Sequence, residues 1–413
     1  MPNLTAFGAT RVYGWCLDAA CAQGTVLTAI PFTRSGHCRG RALIVDLDDT
    51  EEGDRDRRRQ CRELEAIDFT GCVSAVFVNA LAEFVTAHLL PPAESDSGRG
   101  DDAQRELRRF SLEEPLVFPG MQRLGLRGVK SVLPHILTSF VLSFPSLTHL
   151  DLSGTRATPD LLSALGASTT VRLRSLALAR CVRLTSESIK VLLVDSPVAS
   201  QLTELNLYGD ATFNSPLNAE DLMVIIQQAP CFLDGRLVYV DLSNAPLNQQ
   251  ILDACSPQPS LRSLGLSHIP DLPIRVITEF VRIKAVNVEV LTLVGTCPEL
   301  DCGLRPGAGS VPTRGSTRQS CLTLHAALIT PLCKPPPTKL RVIELSTIML
   351  GGLGVGADSW RIVRSKGGRG WYVDTSKGWV TGPNGANGGF CWNLRHDHPL
   401  RNELRRLSDA NFH

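Results

Sequence analysis

No Cys-x-x-Cys pair occurs in the chain, although 13 of its 413 residues are cysteine. Without that pair the usual zinc-finger and thioredoxin signatures are gone. The odd count and irregular spacing do not describe a disulfide framework either, so the thiols are expected to be reduced and to serve as small core residues. Charge of one sign is also missing: 42 basic residues face 41 acidic ones, for a net charge of +1. No global field therefore draws nucleic acid or an anionic membrane, which leaves only local patches. No run approaches the roughly 20 apolar residues of a spanning helix. The apolar stretches of the first 35 residues are broken by Arg11 and Asp18 and lack the plan of a signal peptide. The expected location is the cytoplasm or nucleus. Catalytic motifs are absent as well. There is no G-x-S-x-G, and the glycine-rich GGLGVG at 351–356 is not followed by G-K-[ST].

What is present is a repeat. LRSLALARC places Leu173, Leu176, Leu178 and Cys181 in the frame L-x-x-L-x-L-x-x-C. The frame recurs from Met121, Leu147, Leu202, Leu237, Leu261 and Val288, so that the seven starts differ by 26, 26, 29, 35, 24 and 27 residues. Weaker copies stand at Leu64-Ile67-Phe69-Cys72, at Ala42-Val45-Leu47, and at Leu340-Ile343-Leu345-Ile348. Behind each frame lies a second pattern: Leu184, Ile189 and Leu192 follow Cys181 at the offsets that Val132, Leu137 and Phe140 keep after Val129. Leu272, Ile277 and Phe280 keep them after Ile269. The last two positions of each set are three apart, as one helix face requires. Thr185 and Ser186 are suitable N-caps. Each unit thus predicts a short strand, a turn and a helix.

The stretch from Leu173 resembles the cysteine-containing leucine-rich repeat of the ribonuclease-inhibitor-like group, best known from F-box substrate receptors. The resemblance runs from Leu64 to Ile348, although only Cys72 and Cys181 fill the Cys position. A single strand and helix cannot bury their apolar face alone, so stacked copies share one core. Parallel strands sit about 4.8 Å apart and helices about 10 Å apart, so the stack is expected to curve. The expected fold is an α/β leucine-rich repeat solenoid, with parallel strands on the concave face and helices on the convex one.

Residues 1–41 read as an N-terminal segment, an atypical cap. Residues 42–350 hold the repeats, with insertions near 93–118 and 298–320, and SCLTLHAALITPLC reads as a degenerate repeat helix. Residues 351–413 read as a Gly/Trp-rich C-terminal cap that carries Trp360, Trp371, Trp379 and Trp392. There GWYVDTSKGWV suggests two strands around a turn, and HPLRNELRRLSDA a helix. The cap also resembles the ends of uncharacterised leucine-rich repeat proteins of filamentous fungi, and the stop at His413 suggests truncation.

Alternating strand positions should face the concave side. They are Arg123, Arg127, His149, Asp151, Glu204, Tyr208, Tyr239 and Asp241. Tyr and Arg are favoured interface anchors, so these residues are the candidate partner-binding set, against the alternative of a merely solvated face. His396, Asp397 and His398 near Cys391 match no zinc spacing, and the RDRRR run at 55–59 lies among acidic residues. The expectation is a non-catalytic scaffold for a protein partner, with no cofactor, metal, nucleic acid or membrane. The resemblance implies one alternative, substrate reception in an SCF-type ubiquitin ligase, although residues 1–41 show no F-box motif. GTPase activation is the second alternative.

Overall fold

The computed structural model describes residues 6–8, 65–89, 118–297, 300, 316–334, 336–364 and 369–376. It divides into two compact units: Met1–Leu184 with Ser196–Ala199, and Thr185–Asp195 with Ser200–His413. Both are built from leucine-rich repeats.

In unit 1 the strands β1 (Ala6–Gly8), β2 (Ala66–Asp68), β3 (Arg123–Gly125), β4 (His149–Asp151) and β5 (Ser175–Ala177) pair in parallel in chain order. The helices are α1 (Ala75–His88), α2 (Pro134–Leu142) and α3 (Pro159–Gly166). The frame leucines stand in register: Ile67 opposite Leu124, Leu124 opposite Leu150, Leu150 opposite Leu176. All four are buried, as are the helix positions Val132, Leu137 and Phe140. The strand beside β2 is β1, whereas the frame at 42–47 lies outside the described residues. Six rings link α1 and α2 to the strands in the order Phe77, Phe69, Phe140, Phe144, Phe118, Phe84.

Strands β2 and β4 end in the same turn. Asp68 Oδ1 accepts the Thr70 N–H at 2.9 Å, and Asp151 Oδ1 accepts that of Ser153 at 2.8 Å. These Asx turns halt the strand by taking a backbone donor away from the ladder. One residue later the chain enters the left-handed region, at Gly71, Gly128 and Gly154 and then at Arg180 with φ 57°. Three of these four positions are glycine, which meets that conformation at little cost.

In unit 2, α4 (Ser186–Val194) opens on a capping box between Thr185 and Ser188. Strands β6 (Glu204–Asn206), β7 (Tyr239–Asp241), β8 (Ser263–Gly265), β9 (Val290–Thr292) and β10 (Val342–Leu345) are parallel. The helices between them are α5 (Ala219–Gln228), α6 (Pro230–Leu233), α7 (Gln249–Ala254), α8 (Ile274–Ile283) and α9 (Ser316–Cys333). The α9 helix covers SCLTLHAALITPLC, the stretch read from the sequence as a degenerate repeat helix. After α10 (Thr347–Gly352), β11 (Trp360–Arg364) and β12 (Gly370–Asp374) form a hairpin, and β12 adds antiparallel to β10.

GWYVD is therefore a strand, as expected, and its hairpin partner precedes it; the second strand and the helix expected further on lie outside the described residues. Trp360, Trp371 and Tyr372 are buried. The Tyr372 hydroxyl sits 2.8 Å from His325 Nδ1 and accepts the Ala357 N–H at 3.1 Å, and burial pushes it up to about 12.

Six of the seven described cysteines are buried. Cys181 donates its S–H to the Leu152 carbonyl at 3.1 Å, and burial pushes its thiol up to about 12. No helix among the described residues is long and apolar enough to cross a membrane.

Candidate recognition surface

A strand that packs one face on the core leaves the alternate side chains for solvent or a partner. Unit 1 follows that rule. Strands β2, β4 and β5 alternate half-buried with buried, and β3 opens on the exposed Arg123. Arg123 stands opposite His149 in register, and His149 opposite Ser175. The His149 ring is steadied by Thr148 Oγ1, 2.8 Å from its Nδ1. Arg127, half-buried, stands in the turn beyond β3, and its charge acts on Asp151.

Between these residues lies a recess. Gly125 stands opposite Asp68 on one side and Asp151 on the other. A Cβ there would come within 2.6 Å of Asp68 Oδ1, so the glycine gives the Asp68 carboxylate room to lean across. Burial pushes the Asp151 carboxyl above its ordinary 3.8; the Ser153 hydrogen bonds and the Arg127 charge oppose this, while the Asp68 charge adds to it.

In unit 2 the alternation holds at β6, where Glu204 and Asn206 are half-buried, as is Tyr208 beyond it. It fails from β7 onward. Strands β7, β8 and β9 are buried at every residue, and so is β10. Tyr239 and Asp241 were expected on an open face; both are buried. Tyr239 stands opposite Glu204, and its hydroxyl donates to Asp241 Oδ2 at 3.4 Å. The inference from alternation assumes that one face of every strand stays open, and β7 has none.

Burial pushes the Asp241 carboxyl up, against its Ser243 hydrogen bonds, the Tyr239 hydroxyl and the Arg369 charge. Its Oδ1 accepts the N–H of Ser243, a fully buried residue, at 3.0 Å. In the preceding strand an asparagine does the same work: Asn206 Oδ1 accepts the Tyr208 N–H at 3.0 Å. Asp241→Asn should therefore keep the turn while removing a buried charge, and leave stability at pH 7 unchanged or higher. Asp241→Ala orphans a buried N–H and should cost about 1–3 kcal/mol. Because the folded-state value is raised, what the neutral carboxyl contributes is present below 3.8 and lost as pH rises through the raised value. The advantage of Asp241→Asn over the parent should shrink from pH 7 toward pH 4 in denaturant titrations.

Alternation alone does not find the surface residues on the strand-to-helix turns. Exposed Lys130 and Arg156 follow the Cys position of their repeats by one residue, and exposed Arg183 by two. A scan of those offsets in the repeat frame would have revealed them. Among the described residues no group of three or more His, Cys, Asp or Glu could hold a metal ion.

Parallel strands in register, a helix following each from β2 to β10 and the L-x-x-L-x-L frame buried along both units define a leucine-rich repeat architecture. No protein-family model matches the chain, and no curated protein matches it by sequence. Among solved structures it is similar to the leucine-rich repeat-containing protein LegL7 from Legionella pneumophila. The two share 16% identity over 58% of this chain and 83% of that one, with a TM-score of 0.30. It is also similar to an internalin from Listeria monocytogenes, at 12% identity over 58% of this chain and 76% of that one, with a TM-score of 0.24. Likenesses this distant carry no function across.

Proposed function

We propose that the protein is a non-catalytic recognition scaffold that takes a protein partner on the open strand face of unit 1. The observation that carries this reading is the half-exposed row along β2–β5, with Arg123, His149 and Ser175 adjacent in register beside the Gly125 recess. Extended faces of stacked repeats suit binding because their side chains are presented by rigid strands. Arg127 and Asp151 belong to this surface, and Glu204 and Tyr208 offer a polar site of their own on unit 2. Tyr239 and Asp241 act through the structure beneath.

The repeats read as the cysteine-containing, ribonuclease-inhibitor-like type, which the burial of Cys72 and Cys181 at that position supports. Buried thiols that serve as packing groups fit a reducing compartment, and we place the protein in the cytoplasm or nucleus.

Reversing Asp241 would disturb a buried turn, so the test uses Arg123→Glu with Ser175→Glu. Partners are recovered with the tagged chain from its own cells, and their affinities for parent and double variant are compared at equal foldedness by circular dichroism. The expected result is a loss of about tenfold or more. Unchanged affinity for every partner would overturn the strand-face reading.

A further inference from the structure

The near-zero net charge conceals a segregation. Residues 118–184 carry seven arginines and Lys130 against only Asp151 and Asp160. Residues 185–297 carry twelve acidic side chains against six basic ones. In unit 1 the bases gather on the turns that follow three successive strands: Arg127 and Lys130 after β3, Arg156 after β4, and Arg180 and Arg183 after β5. Arg180 occupies the left-handed position that Gly71, Gly128 and Gly154 take in the preceding repeats, so a cationic side chain is kept where glycine fits more easily. Arg123, Arg156 and Arg183 are exposed and have no ion-pair partner among the described residues. Asp151 partly offsets Arg127, and Asp68 stands across Gly125 from Asp151, so the excess positive charge lies at the exposed Arg123, Arg156 and Arg183.

We propose that these turns, with Arg123 on the strand face, bind an extended acidic peptide segment of a partner protein. The proposal rests on the strand-face reading above and adds the partner's chemistry. Three strands about 4.8 Å apart span about 10 Å, which three or four residues of extended chain at about 3.3 Å each can follow. Guanidinium forks match carboxylates in bidentate geometry, which favours arginine over lysine for such a row. A nucleic-acid ligand fits less well. The open face at β2–β5 holds no Phe, Tyr or Trp on which bases could stack, and its carboxylates Asp68 and Asp151 flank Gly125, so the acidic segment is held at the turns and at Arg123. The excess of acidic residues over 185–297 repels the same peptide from unit 2.

The test titrates the full chain against a fluorescein-labelled Glu-rich dodecapeptide, its Lys-rich counterpart and a DNA duplex, read by anisotropy. The Glu-rich peptide should bind, weaken as salt is raised, and lose about tenfold or more with Arg156→Glu/Arg183→Glu. Both substituted residues are exposed, so the variant should keep the circular dichroism spectrum of the parent. Absence of Glu-peptide binding, equal binding by the double variant, or tighter binding of the duplex each overturns the proposal. If the Glu-rich peptide fails while Arg123→Glu/Ser175→Glu still blocks a protein partner, the acidic class falls and the strand-face reading stands. If both fail, both fall.

Discussion

Arg369→Ala should destabilise unit 2 by about 3–5 kcal/mol at neutral pH, because it strands a buried carboxylate. Arg369 donates from Nε to Glu344 Oε1 at 2.6 Å and from Nη2 to Oε2 at 2.5 Å, and its guanidinium lies 5.1 Å from the centre of the buried Trp371 ring. Only 5% of the Glu344 side chain is exposed, so water cannot replace the lost partner. Burial already pushes Glu344 above its ordinary 4.5 even with Arg369 in place, and the Asp241 charge adds to the push. A raised folded value means that the neutral form is favoured on folding, a contribution that is lost as pH rises through that value. The defect of Arg369→Ala should thus be largest at pH 7 and shrink toward pH 4 in denaturant titrations. Adding Glu344→Gln to Arg369→Ala should recover part of the loss at pH 7. A defect that neither lower pH nor the added Glu344→Gln relieves would mean that Arg369 acts through packing on Trp371.

Phe144→Ala should cost unit 1 about 3–5 kcal/mol, the range for a large aromatic removed from a core that cannot close over the gap. Phe144 is 1% exposed and sits between two rings, 5.0 Å from Phe140 edge-on and 5.6 Å from Phe118. Edge-to-face pairs add about 0.5–1.5 kcal/mol beyond area, so the loss includes two contacts as well as the transfer of the ring. Phe144→Leu keeps most of the volume and should lose less than half as much. Equal losses for Ala and Leu would show that ring geometry, and not filled space, sets the stability there.

The frame residues were legible because burial leaves a periodic mark. Leu124, Leu150 and Leu176 had to recur at a fixed spacing to stand in register, and spacing is what a sequence displays. The helix faces were legible for the same reason, and Thr185 because a cap is a local hydrogen bond. Other features leave no such mark. β1 carries no leucine frame yet holds a place in the sheet beside β2. The hairpin partner of β12 precedes it in the chain, which turn chemistry after GWYVD could not reveal. The ring chain in unit 1 joins residues as distant as Phe84 and Phe118, a link that no local window contains.

The candidate surface divides along the same line. Arg123, His149 and Asp151 lie where strand alternation puts them, on a face that is half-open in unit 1. Tyr239 and Asp241 occupy equivalent positions of the frame and are buried, because exposure depends on what packs over a strand. The strand's own sequence is silent about that. The amino-acid sequence thus determined the repeat, its strand–turn–helix unit and the polarity of charge along the chain, all of which are local or periodic. Tertiary structure alone decided which strands keep an open face, which carboxylates lie buried in turns, and which cation faces Glu344. These depend on contacts between residues that no spacing rule relates.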